Sequence, residues 1–121
     1  MQFDSNLPIY TQIINLLKTQ IAAGKLSGGD KLPSVRELAK ELKVNPNTIQ
    51  RSYQELEREG LVFTQRGMGT FVTQEQTKMQ ALKKSLALEV VNNFVTNMHK
   101  LGFNNKEIFT MIAELVGEEK K

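Results

Sequence analysis

The chain has no cysteine, which excludes disulfide frameworks, thiolate metal sites and cysteine nucleophiles. A single histidine, His99, offers too little for a metal centre, and no metal is expected. There is no run of the roughly 18 apolar residues that a membrane-spanning helix requires. The opening MQFDSNLPIY lacks the basic stretch and apolar core of a signal peptide. These absences predict a cytoplasmic chain with no membrane partner. Paired carboxylates, a nucleophile with its base and a phosphate-binding loop are also missing, so neither an enzyme nor a cofactor is expected. Strong charge of one sign is lacking as well: 16 Lys+Arg stand against 13 Asp+Glu, a net +3 that permits a nucleic-acid partner without identifying one.

What is present is globular in composition, with 40% hydrophobic and 24% charged residues over 121 positions. That length suits one small domain with an appended element, divided here as 1–73 and 74–121. From Pro8, the residues Ile9, Ile13, Leu16, Leu17 and Ile21 recur at helical spacing up to Gly24. Gly24 to Pro33, with Gly28, Gly29 and Asp30, reads as a turn-rich connection. Ser34 and Glu37 then form a capping-box pair ahead of a short helix to about Leu42, whose apolar stripe is Val35, Leu38, Ala39 and Leu42.

Asn45 and Pro46 give a second start signal only three residues later, which predicts a helix-turn-helix. At about 100° per residue, Ile49, Tyr53 and Leu56 share one side of the new helix; Asn47, Arg51, Gln54 and Arg58 share the other. After Gly60, the segments Leu61 to Thr64 and Thr70 to Thr73 flank a glycine-containing loop, Arg66 to Gly69, and read as a β-hairpin wing. Neither glycine nor proline occurs between Gln74 and Gly102, where the apolar spacing predicts one helix of about 25 residues. A final helix follows Asn104 and Glu107, a further N-cap pair.

The start of a helix laid in the major groove reaches base edges. Asn47, Thr48, Gln50, Arg51 and Gln54 are therefore the candidates for DNA contact on the second helix, with Ser34 and Arg36 on the first more suited to backbone phosphates. At the wing, Arg66 sits beside Gly67 and Gly69, which allow close backbone approach, and Thr70 offers a phosphate donor. Taken singly, each of these features is ordinary structure, and Tyr53 reads as core. Their order and spacing carry the reading.

The strings KLPSVRELAKELKVNPNTIQRSYQELEREGLV and RGMGTFV resemble the signature of the GntR family of bacterial regulators. The resemblance covers the DNA-binding half and implies that Arg36 contacts phosphate, that Thr48 and the helix start meet DNA, and that Gly67 to Thr70 form the wing. The chain departs from many members in having Gln50 directly after the N-T-I pattern, with the arginine one place later, at Arg51. Base preference there is not carried over. Only 48 residues follow Thr73, and this brevity resembles the YtrA-like subfamily, which implies control of transporter operons.

The expected fold is thus mainly α with a small β wing: an N-terminal winged helix-turn-helix followed by a two-helix dimerisation hairpin. Such a hairpin, apolar on more than one face, cannot bury its own surface, and a second copy of the chain is the economical cover. Leu82, Leu86, Phe94 and Met98 are the interface candidates. Packing of those residues within one chain is the competing reading, and a cavity lined by Met79, Phe94, Met98 and Met111 for a small-molecule effector is another. The function expected is sequence-specific binding of double-stranded DNA by a homodimer, most simply to repress transcription at a palindromic operator. A protein-interaction module is the alternative. The polar outward face of the second helix argues against it, because such interfaces favour aromatic and aliphatic anchors.

Overall fold

Ile13, Leu17 and Ile21 lie four residues apart, and in the computed structural model they form the buried face of α1, Ile9–Ala22. The structure describes residues 2–119. The remaining elements are α2 Val35–Leu42, α3 Pro46–Arg58, β1 Val62–Gln65, β2 Gly69–Val72, α4 Gln76–Lys100 and α5 Asn105–Glu119. They fall into two compact units, Met1–Lys84 and Ser85–Lys121, with the division inside α4.

In the first unit α1 packs along α3, and α2 packs against α3. Leu38 and Ala39 of α2, Ile49, Tyr53 and Leu56 of α3, and Val62 and Val72 of the hairpin complete the core around α1. Burial of each aliphatic side chain contributes about 1.5–3 kcal/mol, which is what holds three short helices together. Among the described residues Ser52 is the one fully buried polar side chain in this core, and its hydroxyl donates to the carbonyl of Thr48 at 2.9 Å, with the carbonyl of Tyr10 also within reach at 3.3 Å. At its N-terminal edge α1 is approached by a tied segment: the Asp4 N–H donates to the Gln12 side-chain oxygen at 2.7 Å, and the Gln12 amide returns bonds to the carbonyls of Asp4 and Leu7. Ile9, expected in the apolar stripe, is exposed, at the first residue of α1.

The hairpin is antiparallel, pairing Val62 with Val72, Phe63 with Phe71, Thr64 with Thr70 and Gln65 with Gly69. The rings of Phe63 and Phe71 stack at 5.8 Å. A third edge comes from within the segment that reads as a turn-rich connection. The N–H of Gly29 donates to Val72 O at 2.9 Å, the N–H of Val72 to Asp30 O at 2.8 Å and the N–H of Leu32 to Thr70 O at 2.8 Å. The stretch ahead of α2 is therefore paired backbone, and it fixes the base of the wing to the helix-turn-helix.

In the second unit Met98 and Ile108 are buried. Gly102, at φ 93°, ends α4 in a Schellman arrangement, with the N–H of Phe103 bonded to Met98 O and that of Gly102 to His99 O. Asn104 and Glu107 then cap α5 reciprocally, at 2.9 and 2.8 Å. Much of the apolar surface here is uncovered: Val90, Leu101, Phe109 and Leu115 are each more than 60% exposed.

Candidate nucleic-acid interface

Both helices of the turn begin with the caps their sequences predict. The Ser34 hydroxyl accepts from Glu37 N–H at 3.1 Å, while the Glu37 carboxylate accepts from Ser34 N–H at 2.9 Å. Those bonds hold the Glu37 carboxyl below the usual carboxylate range, the Ser34 backbone N–H being the largest cause. At α3 the Asn45 side chain accepts from Asn47 N–H at 2.8 Å, and Pro46 occupies the first turn. Between the helices Lys43 takes the left-handed conformation, φ 57°, the only non-glycine residue to do so among the described residues. That reversal in a three-residue turn sets the angle at which α3 leaves α2.

A second tie runs between the same helices. The Tyr53 hydroxyl donates to the carbonyl of Pro33 at 2.7 Å, one residue ahead of the Ser34 cap. Burial pushes the Tyr53 phenol well above its ordinary value, and the Glu37 and Glu41 charges act in the same direction. Tyr53 is therefore a core residue that braces the turn, as its place in the apolar stripe predicts.

Asn47, Gln50, Arg51 and Gln54 are exposed on α3, and Thr48 is half-buried. Asn47, Thr48 and Arg51 line an open depression with Ile9 and Tyr10. Arg51 and Gln54 also border a groove with Tyr10, Asn15 and Lys18 of α1. The outward face differs from the sequence expectation in one respect. Arg58 folds back along the helix onto Glu55, donating to both of its carboxylate oxygens, with Nε to Oε2 at 2.8 Å. The pair lowers the Glu55 carboxyl and raises the Arg58 guanidinium from their ordinary values. Arg58 is thus engaged, whereas Arg51 forms no ion pair among the described residues.

On α2, Ser34 and Arg36 are exposed. At the wing, Arg66 and Gly67 are exposed, and Gly69 and Thr70 are half-buried. Gly67 and Gly69 have φ of 78° and 123°, so the tip depends on residues without a Cβ. A Cβ on Gly69 would lie 2.7 Å from Lys31 Cε. Lys31 therefore lies across the wing at Gly69, a cation that the sequence hides inside a turn-like segment. Tyr10 is the other neighbour of this surface that helical periodicity does not single out. Among the interface candidates, Leu82 and Met98 are buried within the chain, Leu86 is half-buried and Phe94 is 39% exposed.

Among the described residues, no group of three or more His, Cys, Asp or Glu is placed to hold a metal, and no helix is long and apolar enough to cross a membrane. Two capped helices joined by a three-residue turn, braced on a third helix and followed by a two-stranded wing, define a winged helix-turn-helix, a class of DNA-binding regulator. The family described as bacterial regulatory proteins, gntR family, matches residues 9–72. The chain is 38% identical over 117 residues to the HTH-type transcriptional repressor YtrA of Bacillus subtilis, spanning 96% of this chain and 90% of that one. A GntR family transcriptional regulator from Listeria monocytogenes superposes with a TM-score of 0.84 at 42% identity, covering 93% of this chain and 98% of the other. The DNA-binding domain of AraR, solved in complex with operator ORX1, superposes with a TM-score of 0.55 at 31% identity, over 60% of this chain and 90% of that one. This chain belongs to the gntR family of bacterial regulatory proteins, is similar throughout to YtrA, and is a DNA-binding transcription regulator, not an enzyme.

Proposed function

We propose that the chain is a homodimeric repressor that binds a palindromic operator, with α3 in the major groove, Arg66 and the glycines of the wing at the adjacent minor groove, and Ser34 and Arg36 on backbone phosphates. The observation that carries the reading is the division of α3: Ile49, Ser52, Tyr53 and Leu56 are buried, while Asn47, Gln50, Arg51 and Gln54 are exposed, and Arg51 forms no ion pair among the described residues. Long donors projected from a helix start match the acceptors of base edges and phosphates. The names of the relatives support the same direction, YtrA being a repressor and AraR having been solved on an operator.

Pairing through the C-terminal hairpin is proposed because much of its apolar surface, including Val90, Leu101, Phe109 and Leu115, is exposed in the single chain. Leu86 and Phe94 would form the seam, and buried Leu82 and Met98 would support it from within. A two-fold pair places two copies of α3 about one DNA turn apart, or a multiple of it, and so reads an inverted repeat. By resemblance to the YtrA-like subfamily, the regulated genes are proposed to include a transporter operon.

Selection of bound sequences from a random DNA pool tests the proposal. An enriched inverted repeat is expected, together with binding that weakens steeply with salt, at a log-log slope of about −0.9 per neutralised phosphate. Enrichment of a single half-site would overturn the dimeric reading, and no enrichment at any salt would overturn sequence-specific recognition.

A further inference from the structure

The guanidinium carbon of Arg51 lies 3.7 Å from the centre of the Tyr10 ring. Three further facts bear on this contact. First, the carboxylate that Arg51 would reach four residues along its own helix, Glu55, is occupied on both oxygens by Arg58. Second, Tyr10 sits against α3 beside Arg51, its carbonyl 3.3 Å from the buried hydroxyl of Ser52. Third, α1 is docked along α3: Ile13, Leu17 and Ile21 of α1 are buried in the core, and Lys18 pairs with Glu59 at 2.9 Å near the far end. The ring is therefore a platform held by the core, and the arginine on it is cationic and exposed.

A guanidinium whose central carbon lies over a ring keeps its N–H donors at its periphery. The contact thus restricts the orientation of Arg51 without consuming any of the donors that a base would use. Lost side-chain freedom is a main cost of recognition by a long residue, and a preset plane lowers it. A guanidinium restricted in this way suits a base edge with two adjacent acceptors, which in the major groove is the O6 and N7 of guanine.

We propose that Tyr10 is a specificity-determining positioning residue, which presets Arg51 to read one guanine in each half-site. This rests on the reading that Arg51 meets a base. The hydroxyl has no part in it, so Tyr10→Phe should behave as wild type, and Tyr10→Leu should lose the effect.

The test measures binding of the full chain to its selected operator and to variants substituted at each half-site position, for wild type, Tyr10→Phe, Tyr10→Leu, Arg51→Ala and the Tyr10→Leu/Arg51→Ala double variant. Wild type and Tyr10→Phe should share one guanine preference, and Arg51→Ala should abolish it. Tyr10→Leu should reduce it by about two- to fivefold, the range for an exposed cation over a ring, and should add nothing in the Arg51→Ala background. Equal weakening on every sequence by Tyr10→Leu, or penalties that add in the double variant, would overturn the positioning role while leaving Arg51 as a reader. Arg51→Ala weakening all sequences alike would overturn the base-reading role and the positioning role together. Ring-current shifts of the Arg51 side-chain protons in the free protein give a readout independent of DNA and of stability. They should be present in wild type and Tyr10→Phe, and their absence in wild type would overturn the proposal.

Discussion

Tyr53, in the middle of α3, is bonded through its hydroxyl to the carbonyl of Pro33 at 2.7 Å, so the core of one helix holds the entry to another. The bond joins the two helices whose relative angle sets how α3 is offered to DNA. Tyr53→Phe should lower stability by about 1 kcal/mol, the usual net value of such a bond. A pH dependence accompanies it. Because the folded phenol ionises above its ordinary value, the unfolded chain loses its proton first once pH passes about 10, and stability falls as pH rises further. Denaturant melts between pH 8 and 11 should show an alkaline loss in wild type that is smaller in Tyr53→Phe.

The Ser34–Glu37 box gives the opposite slope. Its carboxyl is held below the ordinary value in the folded chain, so its contribution is complete above about pH 4.3 and is lost as pH falls through the lowered value. Glu37→Gln should flatten the acid limb of the stability profile. Ser34→Ala should cost about 1 kcal/mol, typical of a lost N-cap, and thermal melts at neutral pH measure it.

Lys43 closes α2 in the left-handed conformation, where its Cβ crowds the backbone. Glycine removes that penalty and adds some entropy to the unfolded chain, so Lys43→Gly should gain about 0.5–1 kcal/mol net. A melting temperature unchanged or lower than wild type would show that the turn depends on the lysine side chain itself.

Phe94 is exposed on α4 and Met98, four residues on, is buried. If the hairpin is the pairing surface, Phe94→Asp should shift the chain from dimer to monomer with helix content retained. Met98→Ala should instead lower stability by about 2–5 kcal/mol, as expected for a truncated core residue. Sedimentation and melting, measured on both variants, separate the two roles.

Much of the fold is legible in the residues because local signals agree with each other. Ser34–Glu37 and Asn45–Pro46 mark two helix starts, and α4 runs its predicted 25 residues, from Gln76 to Lys100, since nothing in that stretch breaks a helix. What was not legible depends on partners distant in sequence. The pairing of Gly29 to Leu32 with β2 is invisible locally, because glycine and aspartate read as turn. Helical rotation places Arg58 outward with Arg51, yet it cannot tell which of them Glu55 engages; the structure shows that it is Arg58. Tyr10 stands 41 residues before Arg51, and only the docking of α1 on α3 brings the ring beneath the guanidinium.

The two sides of α3 have little in common chemically. Ile49, Ser52, Tyr53 and Leu56 satisfy the core, and none of the exposed set, Asn47, Gln50, Arg51 and Gln54, is needed to fill it. Surface exchanges away from caps and cores usually change stability by no more than about 0.5 kcal/mol. The helix can therefore accumulate changes in what it displays without endangering what it supports. Duplicate copies of such a chain would be free to diverge in target while remaining folded, with the caps, the Tyr53 brace and the wing glycines as the fixed frame.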